Sequence, residues 1–110
     1  MELIRIKPLS VNKARQGKRF KTKDYKEYEK IVLMLLRPIE IPKGKLRIDY
    51  IFWFSSKQSD IDNPTKLIQD IICKKYGFND KMIYEITIQK KIVPRGKEFI
   101  GFQISKCSKN

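Results

Sequence analysis

Between Leu46 and Ser55 the chain alternates: Leu46, Ile48, Tyr50, Phe52 and Phe54 fall on one side, and Arg47, Asp49, Ile51, Trp53 and Ser55 on the other. Successive side chains of a strand point to opposite faces, so this period of two predicts a long β-strand with one wholly apolar face. Ile51 and Trp53 add apolar area to the second face, so much of both faces must be covered. Such a strand needs a sheet to lie in and helices to pack on it.

The rest of the chain supplies both. Glu2 to Lys7 alternates, with Ile4 and Ile6 on one face, and predicts a short strand that Pro8 stops. Thr22 is suited to cap a helix running to about Leu36 and ended by Pro38, with Tyr25, Tyr28, Val32 and Leu35 as its buried stripe. Asn63-Pro64 reads as a second helix start, with Asn as cap and Pro at the first position, where a missing N–H costs nothing. Leu67, Ile68, Ile71 and Ile72 form its apolar face, and Gly77 suits a left-handed cap at its end. Met82 to Lys91 predicts a third strand, Pro94-Arg95-Gly96-Lys97 a turn, and Phe99 to Ile104 a fourth strand pairing with the third as a hairpin. The expected fold class is α/β (α+β): a small mixed sheet of about four strands and two helices, in the order βαβαββ.

At 110 residues the chain is a single domain, 1–110, with a basic loop over 10–23 and an acidic segment over 60–80. Its 25 Lys and Arg against 12 Asp and Glu give a formal charge of +13. The surplus is concentrated early, since residues 1–47 hold 14 basic and 5 acidic side chains. Within it, Lys13, Arg15, Lys18, Arg19, Lys21 and Lys23 crowd into one loop, which points to a phosphate-rich partner, bound there through phosphate contacts. There is no His, which excludes His-dependent triads and the usual zinc sites. Cys73 and Cys107 lack metal-type spacing and read as free thiols in a reducing compartment. No apolar run approaches the ~18 residues of a membrane span, and no signal-peptide core opens the chain, so a cytoplasmic protein is expected.

Against this basic background, Asp60, Asp62, Asp70 and Asp80 gather in one stretch of sequence. Carboxylates so close repel one another, and a hard divalent cation held by oxygen ligands neutralises them. Residues two apart in an extended segment point the same way, so Asp60 and Asp62 can aim at one ion, and Asp80 could close the site from the loop after the helix. Three carboxylates leave positions for water, the coordination Mg²⁺ prefers. Lys66 and Asp70 follow Asp62 at spacings of four and share a helix face with it, which aims Lys66 at the acidic cluster, with Asp70 able to hold it by ion pairing. The bland alternatives are helix capping or turn chemistry for Asp60 and Asp62 and a surface ion pair for Lys66 and Asp70. An EF-hand loop counted from Asp60 fails, because its sixth and twelfth positions are Thr65 and Ile71.

Asp60-Ile-Asp62-Asn63, then Lys66, Asp70 and Gly77-Phe78-Asn79-Asp80, resembles the signature of the RusA family of Holliday junction resolvases. Pro8-Leu-Ser10-Val-Asn12, followed by a basic loop and a helix, extends the resemblance over nearly the whole chain. The resemblance implies a crossover junction endodeoxyribonuclease: a homodimeric, Mg²⁺-dependent hydrolase, with Mn²⁺ as a substitute, that resolves four-way junctions in recombination and repair. It implies Asp60, Asp62 and Asp80 as metal-binding catalytic carboxylates, Lys66 as the catalytic lysine, Asp70 and Asn63 as supporting residues, and a bacterial or phage-encoded gene. Many members carry Asp where this chain has Asn79, and some a basic residue where it has Ser59. The alternative from another class is a non-catalytic, basic nucleic-acid-binding protein, a junction binder or ribosome-associated. It explains the loop but leaves the aspartates repelling phosphate.

Overall fold

The computed structural model describes residues 1–9, 15–16 and 20–108, with the backbone alone at 15, 16, 20, 21 and 63. In chain order the elements are β1 (Glu2–Ile4), β2 (Arg15–Gln16), β3 (Phe20–Lys21), α1 (Lys23–Leu35), β4 (Leu46–Phe54), α2 (Asp62–Tyr76), a 3₁₀ turn (Asp80–Met82), β5 (Ile83–Ile92) and β6 (Phe99–Lys106). Four strands form a mixed sheet in the order β1-β6-β4-β5, with both helices packed on one face, while β2 and β3 pair as a separate small ribbon. The expected α+β class and the order βαβαββ therefore hold for the main layers.

The expected hairpin between the last two strands does not form. β5 runs parallel to β4 and β6 antiparallel to it, so the two flank β4 instead of pairing with each other. The reason lies in β4 itself: Ile48, Tyr50 and Phe52 are fully buried, and a strand so apolar gains most where both its edges are paired. The link from β5 to β6 therefore passes across the end of β4, where the Val93 N–H donates to the Phe54 carbonyl at 2.7 Å. The turn within that link forms as expected, with Lys97 N–H donating to the Pro94 carbonyl and Gly96 at φ 90°.

Local signals decide the helix ends. The Thr22 hydroxyl accepts from the Tyr25 N–H at 3.2 Å, as a cap should. Tyr25, Tyr28 and Val32 are buried, but the stripe then passes to Leu36 instead of Leu35, which is exposed. Pro38 disfavours helical backbone at the residue before it, the helix ends at Leu35, and Leu36 turns inward on extended backbone. On α2, Leu67, Ile68, Ile71 and Ile72 are all buried, and Gly77 takes the left-handed cap at φ 71° with its N–H donating to the Cys73 carbonyl. β1 ends at Ile4, short of the expected Lys7, though Ile6 still packs against the core.

The sheet face away from the helices is only partly polar. Trp53 stacks on Phe99 with ring centroids 3.9 Å apart, and Arg47 pairs with Asp49 and Glu85. Gly101 lies in this layer, where a Cβ would come within 2.9 Å of the Met1 sulfur and 3.0 Å of the Trp53 ring. Gly101→Val should therefore destabilise the fold by about 1–3 kcal/mol of overpacking, read as a lower urea midpoint with an unchanged slope.

Candidate active site

α2 carries the acidic row, and its start differs from the expected one. The helix begins at Asp62 with Ile61 as cap residue, not after a cap at Asn63. The Asp60 carboxylate accepts from the Asp62 N–H at 3.0 Å, and the Thr65 hydroxyl donates to the Ile61 carbonyl at 2.8 Å. Asp60 thus closes the turn that Asn63 was expected to close, and Pro64 still falls in the first turn, where no acceptor waits for an N–H. Part of the capping alternative for Asp60 is real.

From that start, Asp62, Lys66 and Asp70 follow at helical spacing on the side opposite the buried face; Asp62 and Lys66 are exposed and Asp70 is half-buried. Among the described residues Lys66 and Asp70 form no ion pair, so the expected i,i+4 pairing is absent and Lys66 projects as an unpaired ammonium one turn beyond Asp62.

Asp80 is placed by a separate device. The Asn79 side chain accepts from the Lys81 N–H at 2.9 Å, capping the 3₁₀ turn whose first residue is Asp80. Cys73 reports its surroundings: burial, then the negative charge of Asp80, then that of Asp70, push the thiol up to about 11. Asp70 and Asp80 therefore flank Cys73, in the C-terminal half of α2. Tyr50, whose hydroxyl donates to Gln69 Oε1 at 3.0 Å, is raised by burial first, and then by Cys73 and Asp70. Cys73 and Cys107 are free thiols, as expected.

This geometry bears on the expected convergence of the three carboxylates. At 1.5 Å per residue, the eleven residues from Asp62 to Cys73 span about 16 Å along the helix. On the sheet side the same separation recurs: Asp80 precedes β5, while Lys90, about 23 Å along that strand from Ile83, reaches the loop that carries Asp60. Asp80 therefore stands at the end of α2 away from Asp60 and Asp62 of its own chain. Among the described residues, no three carboxylate or thiol side chains are grouped to hold an ion.

Of the basic loop, Lys13, Lys18 and Arg19 lie outside the described residues, Arg15 and Lys21 face each other in the β2–β3 register, and Lys23 is exposed at the start of α1. The expected loop thus contains a short ribbon. Two features were not anticipated. A cleft of about 360 Å³ lies beside Asp60, walled by Lys7, Pro8, Phe54, Ser55 and Glu98 among others, so the Pro8-Leu9 motif and the acidic motif meet at one place. Glu98 accepts from Ser55 Oγ at 2.7 Å, a bond that with neighbouring N–H groups and Lys7 holds its carboxyl below the usual range. The second feature is Lys90, whose ammonium donates to the carbonyls of Lys57 and Ser59 at 2.7 and 2.6 Å.

A family model described as endodeoxyribonuclease RusA matches residues 9–97, which hold the basic loop, the whole acidic segment and most of the fold. The chain belongs to the RusA endodeoxyribonucleases. Its place in that family makes it a nuclease and a member of a group acting on junction DNA. No curated protein matches the sequence. No helix among the described residues is long and apolar enough to cross a membrane.

The placement of Asp80 can be checked without any assay of activity. A carboxylate beside a thiol disfavours the thiolate, so Asp80→Asn should lower the Cys73 pKa and Asp62→Asn should leave it unchanged. Titrating thiol alkylation against pH in a Cys107→Ala background reads both shifts.

Proposed function

We propose that this RusA-family nuclease is a Mg²⁺-dependent, structure-selective endodeoxyribonuclease that resolves four-way DNA junctions by paired symmetric nicks, acting as a homodimer in DNA recombination and repair. One observation carries the reading. Within the matched segment, the carboxylates of Asp60 and Asp62 stand at the exposed start of a helix, one turn from the ammonium of Lys66, which has no ion pair among the described residues, on a chain of charge +13.

Asp60 and Asp62 are oxygen donors at exposed positions, the donor chemistry that Mg²⁺ takes and Mn²⁺ accepts. When bound, the ion would polarise the scissile phosphate and acidify an attacking water. Lys66 would stabilise negative charge developing on the phosphate oxygens, a task for a compact ammonium that no carboxylate among the described residues already pairs with. The loop with Lys13, Arg15, Lys18, Arg19, Lys21 and Lys23 would hold the DNA by its phosphates, while Asn63 and Asp70 support the site from within α2.

A homodimer also answers the separation of the carboxylates. A two-fold axis crossing α2 near its middle lays the helix antiparallel on its mate, bringing the C-terminal half of one beside the N-terminal end of the other. Asp80 of one copy then approaches Asp60 and Asp62 of the second, giving two equivalent sites related by the operator that relates the two nicks.

Two experiments test these assignments. Asp62→Asn and Asp80→Asn homodimers should each be inactive on a synthetic junction with Mg²⁺, yet bind it. Co-expressed, they form heterodimers in which one composite site is wild-type and the other doubly altered, so single-strand nicks should reappear without full resolution. No recovery on mixing would confine the site to one chain. Lys66→Ala should cut the single-turnover rate by a factor of ~100–1,000 while junction affinity falls little, and Lys66→Arg should rescue poorly. A normal rate with a lower melting temperature would make Lys66 structural. A wild-type protein that binds junctions tightly and never cuts them would favour the non-catalytic binder.

A further inference from the structure

Along β5, Ile86, Ile88, Lys90 and Ile92 lie opposite Ile48, Tyr50, Phe52 and Phe54, so all four point to the helix side of the sheet, where Ile88 packs against the core and Ile86, Lys90 and Ile92 stay exposed at its edge. Three of these positions are apolar and one is a lysine. Lys90 is the one cation of that row, exposed at the edge of the sheet, where its ammonium can reach polar partners beyond the strand. Lys90 finds two, and both lie on the loop that joins β4 to α2. Its Nζ donates to the Lys57 carbonyl at 2.7 Å and to the Ser59 carbonyl at 2.6 Å.

Those carbonyls belong to the segment directly before Asp60. Within the loop the described backbone bonding is slight: Ser59 N–H donates to the Ser56 carbonyl at 3.3 Å, and Gln58 N–H to Ser56 Oγ at the same distance. Charge-assisted bonds from an ammonium are roughly twice as strong as neutral ones. Among the described residues, the pair from Lys90 therefore adds a charge-assisted restraint on the approach to Asp60 that comes from outside the loop, from β5.

We propose that Lys90 is a positioning residue for Asp60: by clamping the carbonyls of Lys57 and Ser59 it fixes where the loop delivers that carboxylate. The role rests on the reading of Asp60 as a metal ligand. It is distinct from phosphate contact, the other task open to an exposed lysine on this chain. Arg at this position can still donate to both carbonyls through its fork, whereas Met keeps the length and loses the donors.

The test uses the full chain with Lys90→Met and Lys90→Arg. In Lys90→Met, amide exchange over residues 57–60 should accelerate about tenfold, as for the loss of a charge-assisted bond, with the core amides unchanged. Mn²⁺ affinity, measured by titration without DNA, should weaken about 10–100-fold, the usual cost of losing a partner behind a ligand. Lys90→Arg should restore both, and junction affinity and its salt slope should match wild type throughout. Unchanged exchange in Lys90→Met overturns the clamp. A weaker junction affinity with a salt slope smaller by about 0.9 overturns it too, by making Lys90 a phosphate contact. Failure of the nuclease reading shows separately, as a wild-type chain that neither binds Mn²⁺ nor cuts junctions. That result would overturn the role toward Asp60, while the exchange data alone decide the clamp.

Discussion

Burial of β4 is the constraint on which the other elements depend. Its inner face presents Tyr50, Phe52 and Phe54 in a stacked row, with centroids 5.8 and 6.1 Å apart along the strand. Rings so placed bury large areas and leave little freedom in how α2 can lie over them. Both edges of β4 are paired, with β5 parallel and β6 antiparallel, so the strand has no edge to offer another chain. A parallel neighbour requires a crossover, and α2 is that crossover. The acidic row is thus carried by the one helix whose position the central strand dictates.

The same topology separates the carboxylates. A crossover helix begins at one end of its strands and returns to the other, so residues before and after it stand a helix length apart. Asp60 and Asp62 precede most of α2 and Asp80 follows it, so they stand toward opposite ends of a helix whose residues 62 to 73 alone span about 16 Å. The proposed second copy, related by a two-fold axis, would remove the gap at no cost in fold, because an antiparallel helix pair exchanges its ends. In the proposed homodimer, association would answer βαβ geometry as much as the symmetry of a junction.

What was legible in the sequence was local. The Thr22 cap, the left-handed Gly77, the buried face of α2 and the turn at Pro94–Lys97 each depend on a few neighbouring residues, and each formed. Strand partnership was not legible, because a short connection predicts a hairpin only while no better partner competes for the edge, and β4 was the better partner for both strands. The shift from Leu35 to Leu36 came from the extended backbone at Leu36, just past the helix end, which turns that side chain inward. At the site, residue types and spacing identified Asp60, Asp62 and Lys66 as a group on one helix end, whereas the distance to Asp80 needed the topology. Lys90 left a readable trace, a charge interrupting the row Ile86, Ile88, Ile92, but its partners are backbone carbonyls that no side-chain pattern reveals.

Why the chain can keep carboxylates together at all follows from where they sit. The N-terminus of a helix carries unsatisfied N–H groups and the positive end of its dipole, which favours acidic side chains there by about 0.3–1 kcal/mol. Asp62 occupies that first turn, and Lys74 and Lys75 the last, so α2 is charged in the sense its dipole favours at both ends. Asp60 gains in addition the bond from the Asp62 N–H. Part of the mutual repulsion is therefore offset by the fold before any cation arrives, and the two residues serve the helix as well as any site. That double service decides how they should be altered. Alanine at 60 would remove the acceptor that closes the turn and could loosen the helix start, confounding stability with function. Asparagine keeps an acceptor oxygen at the same place, so a loss of activity in Asp60→Asn with an unchanged melting temperature reports the charge alone.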